Sequence, residues 1–135
     1  ISWPACGEID IMEMVGGISQ SDRGNNVVHG TIHWDNNGSY RYQGGKKAVT
    51  GGPILADNFH VYSIIWDENK ITWLLDDQVY HEEDIRSSAM NEFREPFFLL
   101  INLAVGGNWP GNPDDSTVFP QQMAVDYVRV FEKNK

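Results

Sequence analysis

The feature that most restricts the fold of this chain is a succession of short apolar runs with turn-forming residues between them. The runs are rich in Val, Ile, Tyr, Phe and Trp, and Gly, Asn, Asp and Pro separate them. Such runs are typical of β-strands, and helical periodicity is scarce. The pattern predicts strands at residues 7–14, 26–34, 59–67, 70–76, 78–81, 96–105 and 122–132.

Turn signals connect several of these runs. "WDENKITW" predicts a hairpin with Glu68 and Asn69 in its turn, and "LLDDQVY" predicts a second that turns at Asp76 and Asp77. Only "EEDIRSSAMNEFR" has the character of one or two helical turns. The stretches "QGGKKAVTGGP" and "GGNWPGNPDDSTVFP" predict long loops, which often carry function on a β scaffold. We therefore expect an all-β sandwich or barrel.

Size and charge restrict the domain count and the partners. The chain has 135 residues, enough for one modest domain, and its net charge is −9. Binding to a nucleic-acid backbone or an anionic membrane is disfavoured, because both need clustered Lys and Arg. A neutral partner fits better. No run of about 18 apolar residues predicts a membrane helix, and no signal peptide is recognisable.

The single cysteine, Cys6, cannot form a disulfide within the chain. The usual Cys/His spacing of a zinc site is absent from the sequence as well. We interpret Cys6 as a small buried thiol.

Three carboxylates stand close together in "EIDIME". Glu8 and Asp10 share one face of a strand, whereas regular alternation would turn Glu13 to the other face. A β-bulge at Ile11 or Met12 would return Glu13 to the first face, with the side chains of Glu8 and Glu13 about 5 Å apart. Neighbouring carboxylates with different protonation states are what glycoside hydrolysis requires. An acidic strand edge that faces solvent explains the same pattern equally well.

A family resemblance favours the catalytic interpretation. "WPACGEIDIMEMVGG" closely resembles the catalytic strand of glycoside hydrolase family 16, in the bulged ExDxxE form of the endo-β-1,3-glucanases, or laminarinases. The lichenase branch has the unbulged ExDxE, from which this sequence departs by the extra Met12. "VVHGTIHW", "FHVYSIIW", "INLAVGGNWPG" and "VDYVRVF" also resemble laminarinase segments, in the family's order. The resemblance implies a two-sheet β-sandwich, the concanavalin-like jelly roll.

By the same resemblance, Glu8 is the nucleophile, Glu13 is the general acid/base, and Asp10 supports the nucleophile between them. The implied reaction is endo-acting, retaining hydrolysis of β-1,3-glucosidic bonds in laminarin-like glucans, with no cofactor or metal in the chemistry. A mixed-linkage glucanase or a galactan hydrolase of the same family remains an alternative. A non-catalytic β-glucan-binding module is a third possibility.

Several aromatic residues have two interpretations. Trp3 matches a family tryptophan that stacks on a sugar ring, and its alternative role is core packing. Trp109, in "GGNWPG", is either a second sugar platform or a packed loop residue. The remaining tryptophans lie inside predicted strands and are interpreted as core residues: Trp34, Trp66 and Trp73.

Polar residues outside the acidic strand complete the expected site. His33 matches the family histidine that faces the acids, and His29 is interpreted as structural. Asn102 matches a cleft asparagine, with a satisfied buried amide as the alternative. Asp126 matches an aspartate that holds a structural calcium, although it is also interpretable as a surface carboxylate. One Asp cannot supply the six to eight oxygens of a calcium site, so most ligands would come from elsewhere.

The family domain has roughly 250 residues, with the catalytic strand near its middle. Residues 1–135 therefore correspond to the C-terminal part of one catalytic domain. We expect the N-terminal half in a second chain or a missing segment, because unpaired central strands would expose long apolar edges. The polymeric substrate of the family implies an extracellular, secreted enzyme.

Overall fold

The computed structural model describes residues 1–17 and 22–133. The chain divides into two compact units, Ile1–Phe98 and Leu99–Lys135. The elements of the first unit are β1 (Glu8–Glu13), β2 (Val27–Asp35), β3 (Tyr40–Ala48), a 3₁₀ helix (Leu55–Asp57), β4 (Tyr62–Trp66), β5 (Lys70–Leu75), β6 (Gln78–Asp84) and a second 3₁₀ helix (Ser88–Arg94). The described part of the chain is therefore mostly β, as the sequence predicts.

The six strands form two antiparallel sheets, with strand orders β1-β2-β3 and β4-β5-β6. Both predicted hairpins are confirmed. Between β4 and β5, a carboxylate oxygen of Asp67 accepts hydrogen bonds from the backbone N–H groups of Asn69 and Lys70, at 2.7 and 3.0 Å. Between β5 and β6, Asp76 and Asp77 have φ values of +49° and +65°, as a two-residue type I′ turn requires.

The main hydrophobic cluster joins the two sheets of the first unit. It contains Ile32 and Trp34 from the first sheet, Ile71 and Trp73 from the second, and Phe93 from the second 3₁₀ helix. Each such side chain contributes about 1.5–3 kcal/mol on burial. This cluster makes the first unit a two-sheet β-sandwich and confirms the core prediction for both tryptophans.

The core prediction for Trp66 is wrong, since 38 % of this residue is exposed. Its indole N–H instead donates to the backbone carbonyl of Phe93, at 2.9 Å. The indole lies over the 3₁₀ segment, edge-on to Phe97. The buried-thiol interpretation of Cys6 is wrong too, because Cys6 is exposed in the turn that precedes β1.

Strand β3 lies where the sequence predicts the start of a long loop. Its glycines, which usually indicate loops, are required here by close contacts. A Cβ on Gly45 would lie 2.4 Å from Cγ of His81, and one on Gly44 would lie 2.3 Å from the carbonyl oxygen of Gly30. Glycine inside a strand often marks such a close approach.

The second unit contradicts two strand predictions. Neither 96–105 nor 122–132 is a strand, and large apolar side chains in both are exposed, including Leu100 and Val130. A strand requires a hydrogen-bonded neighbour. Within the described residues of this unit, the β-pairing is one bridge between Gly107 and Gly111. Apolar patterning alone therefore overestimated strand content here.

Elsewhere in the second unit, Asp114 caps a small turn. Its carboxylate accepts from the backbone N–H of Ser116 at 2.9 Å, and its own N–H donates to Thr117 Oγ1 at 3.1 Å. Across residues 1–17 and 22–133, none of the helical segments has the length and apolar character needed to cross a bilayer.

Candidate active site

The pairing of β1 with β2 contains the expected irregularity. Glu8 faces His33 and Asp10 faces Thr31, as in a regular antiparallel ladder. Regular pairing would then put Glu13 opposite Val28, but Glu13 faces His29, and the register shifts between Asp10 and Glu13. One extra residue in β1 therefore forms a bulge. The predicted bulge is confirmed, and it returns Glu13 to the face of the other two acids.

A tryptophan of the β4-β5-β6 sheet forms a hydrogen bond to the backbone of the bulged strand. The indole N–H of Trp73 donates to the backbone carbonyl of Asp10, at 2.9 Å. Gly30 on β2 makes room for this indole, since a Cβ there would lie 2.2 Å from Cδ1 of Trp73. The sequence predicts Trp73 only as a core residue. No local signal reveals the hydrogen bond, because the two partners lie 63 positions apart.

The three acids are linked through the central one. The indole N–H of Trp3 donates to Oε2 of Glu8 at 2.5 Å, and the negative charge of Asp10 acts on both Glu8 and Glu13. The hydroxyl of Thr31 donates to Oε2 of Glu13 at 3.3 Å. Ligand atoms of Asp10, Glu13 and His33 all lie within 4.8 Å of one another. The three carboxyl groups therefore interact electrostatically with one another.

Burial and mutual repulsion raise the pKa of both outer acids. Burial raises the pKa of Glu13, and the negative charge of Asp10 raises it further. The pKa of Glu8 is also raised, first by burial and then by Asp10, while the Trp3 hydrogen bond and His33 oppose the shift. Glu8 and Glu13 therefore keep their protons to higher pH than isolated glutamates would.

His33 lies beside the acids on β2, as the resemblance implies. Its Nε2 is 3.0 Å from Oδ2 of Asp10, and its Nδ1 is 2.7 Å from the hydroxyl of Tyr40. The contact with Asp10 raises the pKa of His33 despite the opposing effect of burial, and the charge of Glu8 adds to the rise. In contrast, burial lowers the pKa of His29, which lies opposite Glu13.

An aromatic cluster of Trp3, His33, Tyr40 and Tyr42 borders the acids. The Trp3 ring centroid is 5.1 Å from Tyr40 and 6.3 Å from His33, and 53 % of Trp3 is exposed. The core alternative for Trp3 therefore does not hold. Tyr40 and Tyr42 were not predicted as site residues, because the sequence pattern indicated a connection, not a strand, where β3 lies.

The first unit thus brings five predicted site residues together: Trp3, Glu8, Asp10, Glu13 and His33. Asn102 and Trp109 belong to the second unit. Asn102 is exposed in an irregular segment, so it is not the buried strand amide of the alternative interpretation. Trp109 is 41 % exposed in the turn between Gly107 and Gly111. The cleft roles of Asn102 and Trp109 stay predictions.

Two places in the chain bear on metal binding. Within the described residues, Asp10, Glu13 and His33 form the one group of three or more potential side-chain ligands. A cation there would have to displace the Asp10–His33 contact. Asp126 is exposed in the second unit and belongs to no such group among those residues. Because calcium needs six to eight oxygens, the residues present do not by themselves fit a calcium site at Asp126.

A β-sandwich that presents coupled carboxyl groups of raised pKa beside an exposed indole has the chemistry of a glycoside hydrolase. Such enzymes need one protonated and one ionised carboxyl group on the same side of a sugar ring. The family model described as Glycosyl hydrolases family 16 matches residues 2–129. The chain belongs to glycoside hydrolase family 16.

Individual relatives agree with this assignment. The chain is 40 % identical over 145 residues to a beta-glucanase of Rhodothermus marinus, covering 96 % of this chain and 46 % of that relative. It is 38 % identical over 146 residues to glucan endo-1,3-beta-glucosidase A1 of Niallia circulans, covering 98 % of this chain and 20 % of that relative.

A solved structure gives the same result. The endo-beta-1,3-glucanase from Pyrococcus furiosus matches with a TM-score of 0.72 and 39 % identity, covering 87 % of this chain and 44 % of that one. The fold is therefore that of the family's β-sandwich enzymes. The chain spans less than half the length of each of these three relatives.

Proposed function

We propose that the protein hydrolyses internal β-1,3-glucosidic bonds of laminarin-like β-glucans with retention of anomeric configuration. The observation that carries this proposal is the bulge between Asp10 and Glu13, which puts Glu13 on one face with Glu8. The raised pKa of Glu13 suits an acid that must stay protonated near neutral pH. The relatives from Niallia circulans and Pyrococcus furiosus are named as endo-1,3-β-glucan hydrolases, which supports the β-1,3 linkage.

In the first step, the protonated carboxyl group of Glu13 gives its proton to the glycosidic oxygen. The ionised carboxylate of Glu8 attacks the anomeric carbon, and the bond to the leaving glucan breaks. Asp10 lies on the same face of β1 as Glu8 and supports the nucleophile from there. The N–H of Trp3 holds the other side of the nucleophile in place.

In the second step, Glu13 acts as the base. Its carboxylate takes a proton from water, and the resulting hydroxide attacks the glycosyl–Glu8 ester on the face that the leaving group vacated. Two inversions give net retention, and Glu8 and Glu13 return to their starting states. This chemistry requires no cofactor.

Binding of a neutral glucan would rely on the exposed indole of Trp3. Sugar CH groups pack on an aromatic face, while the hydroxyls need polar partners. Trp3 also contacts the nucleophile at 2.5 Å, so a ring stacked on it would lie beside Glu8. We also propose Trp109 and Asn102 as contacts to the glucan.

The test is a comparison of substrates with the full-length protein. We expect reducing ends to be released from laminarin faster than from lichenan, and no release from agarose. NMR of the first products should show the β-anomer before mutarotation. Preference for lichenan or agarose would reassign the enzyme within its family, retention of laminarin without release would indicate a binding module, and an initial α-anomer would exclude the nucleophilic role of Glu8.

We further propose that an N-terminal segment, in the same or a second polypeptide, completes the catalytic domain and that the enzyme is secreted. The family resemblance supports a structural calcium at Asp126 whose other ligands come from that segment. Intact-mass spectrometry of the protein from its source organism, from both culture medium and cells, tests the first two statements. A shift of Tm on addition of EGTA tests the third.

A further inference from the structure

We propose that Asp10, Glu13 and His33 form a binding site for the transition-metal ion Zn²⁺, and that the bound ion blocks the acid function of Glu13. The three residues offer one imidazole nitrogen and two carboxylate oxygens, which are ligand types that zinc takes in proteins. The binding itself is independent of the proposed hydrolysis, whereas the block of Glu13 rests on that proposed function.

The three ligand atoms converge on the face shared by β1 and β2. Each pair of them is within 4.8 Å, and Nε2 of His33 is 3.0 Å from Oδ2 of Asp10. The ligands of a tetrahedral zinc ion lie about 3.4 Å apart, because each bond to the metal is about 2.0–2.1 Å long. Rotation of the Glu13 side chain can close the remaining distance, since its hydrogen bond from Thr31 is long, at 3.3 Å.

One carboxylate oxygen at this point is buried and unsatisfied. Oδ2 of Asp10 has no hydrogen-bond partner among the described residues, although Nε2 of His33 is 3.0 Å away. The two atoms therefore lie side by side, as two ligands of one ion do, and not as donor and acceptor. A buried oxygen without a partner is uncommon in folded proteins, and a metal ion would satisfy it.

The charge around the site also favours a cation. Glu8 lies on the same face of β1 as Asp10 and Glu13, so three carboxyl groups adjoin the point where the ligand atoms converge. A dication would offset their mutual repulsion. The hard ions Ca²⁺ and Mg²⁺ fit less well, because they prefer oxygen ligands in larger number or in strict octahedral geometry, whereas this group includes a nitrogen.

Metal binding and acid catalysis exclude each other at Glu13. A carboxyl group binds zinc in its deprotonated form, so its proton is released to the solvent as the metal binds. Glu13 then has no proton to give to the glycosidic oxygen in the proposed first step. Zinc should therefore inhibit hydrolysis in proportion to the occupied fraction of the site.

The experiment is a calorimetric titration of the full-length protein with ZnCl₂, in a buffer with excess Ca²⁺ that keeps any calcium site filled. His33→Asn and Glu13→Gln each remove one ligand. The matched control is His60→Asn. His60 also pairs with a carboxylate, since its Nδ1 is 2.7 Å from Oδ2 of Asp76, but within the described residues it belongs to no group of three ligands. Thermal unfolding shows which variants fold, and either ligand variant suffices.

We expect the wild type and His60→Asn to bind zinc with the same Kd. In His33→Asn and Glu13→Gln the Kd should rise at least about tenfold, because even the loss of a residue that only orients a metal ligand costs about 10–100-fold in affinity. Initial rates of the wild type on laminarin should fall by half at a free Zn²⁺ concentration near this Kd. The same concentration of Mg²⁺ should leave the rates unchanged.

A wild type that binds no zinc would overturn the proposed site. So would zinc binding of equal strength in the wild type and in a folded ligand variant. Zinc binding at the site with unchanged rates of hydrolysis would overturn the block of Glu13. If the wild type fails to cleave laminarin in the absence of zinc, the function proposed above is wrong, while the calorimetry still decides whether the metal site exists.

Discussion

The protonation of individual carboxyl groups decides what this site can do. Glu8 and Glu13 are both partly buried acids of raised pKa, but their partners differ. Glu8 accepts the N–H of Trp3, which favours its ionised form, whereas His33 favours the ionised forms of both acids. Glu13 has one long hydrogen bond from Thr31, at 3.3 Å. The Trp3 hydrogen bond supports the proposal that Glu8 is the nucleophile and Glu13 is the acid.

Substitution of the proposed nucleophile separates binding from chemistry. Glu8→Gln keeps the size and the hydrogen-bonding capacity of the side chain but removes its nucleophilic oxygen. We expect turnover of laminarin to fall by about 10⁴-fold or more, with laminarin affinity nearly unchanged. Initial rates and calorimetric titration measure the two effects. Substantial residual turnover would show that another group attacks the sugar.

The charge of Asp10 should be visible in the pH profile. This charge raises the pKa of Glu13, whose protonated form the proposed first step requires. Asp10→Asn removes the charge, so Glu13 should lose its proton at lower pH. The alkaline limb of kcat/KM is therefore expected to move to lower pH, whatever the absolute loss in rate. A limb that stays in place or moves to higher pH would contradict the assignment of Glu13 as acid.

Strand β1 presents its three acids on one face because two neighbouring elements support its bulge. β2 provides a regular ladder on one side of the bulge, and β5 provides Trp73, which binds the carbonyl of Asp10. A bulge leaves backbone groups displaced from the ladder, so an additional donor at this place stabilises it. Gly30 is the complementary feature of β2 that admits the indole.

Loss of the Trp73 N–H should affect both stability and catalysis. Trp73→Phe retains most of the ring but leaves the Asp10 carbonyl without this donor, which costs about 1–3 kcal/mol in the free energy of unfolding. We expect a clear fall in kcat as well, since the bulge sets the direction of the acids. Denaturant unfolding and initial rates measure these effects.

The matched control is Trp66→Phe. It also deletes an indole N–H bond to a backbone carbonyl, that of Phe93, but at the second 3₁₀ helix. We expect a loss of stability with little change in kcat. Equal falls in kcat for both variants would mean that Trp73 acts only through general stability.

The chain of 135 residues is strongly acidic, yet its proposed ligand is uncharged. A net charge of −9 would oppose polyanions and provides no attraction for a neutral glucan. Binding should then depend on stacking and hydrogen bonds, with the acids serving the chemistry.

Salt dependence tests this view. We expect the Kd of a Glu8→Gln variant for laminarin oligosaccharides to change by less than about twofold between about 0.05 M and about 0.5 M NaCl, because screening acts only on charge. Calorimetry at the two ionic strengths measures it. A large salt effect would indicate a charged ligand in place of laminarin.

The sequence by itself determined the features that depend on neighbouring residues. The extra Met12 in "EIDIME" predicted the bulge, and paired acidic residues predicted the turn at Asp76 and Asp77. The same short motif identified the family and the proposed catalytic acids. These features could be predicted because alternation, bulges and tight turns are set within a few residues of backbone.

Only the tertiary structure decided the features that depend on distant partners. The glycines of β3 indicate a loop in the sequence, but in the structure close contacts with His81 and with the backbone of β2 require them. Because β3 pairs with β2, Tyr40 lies within hydrogen-bond distance of His33. The carbonyl that accepts the hydrogen bond of Trp73 lies 63 residues away in the sequence. Conversely, the apolar residues of 96–105 and 122–132 formed no strand. A strand is completed by its neighbour, and an isolated sequence pattern does not specify which neighbour will be there.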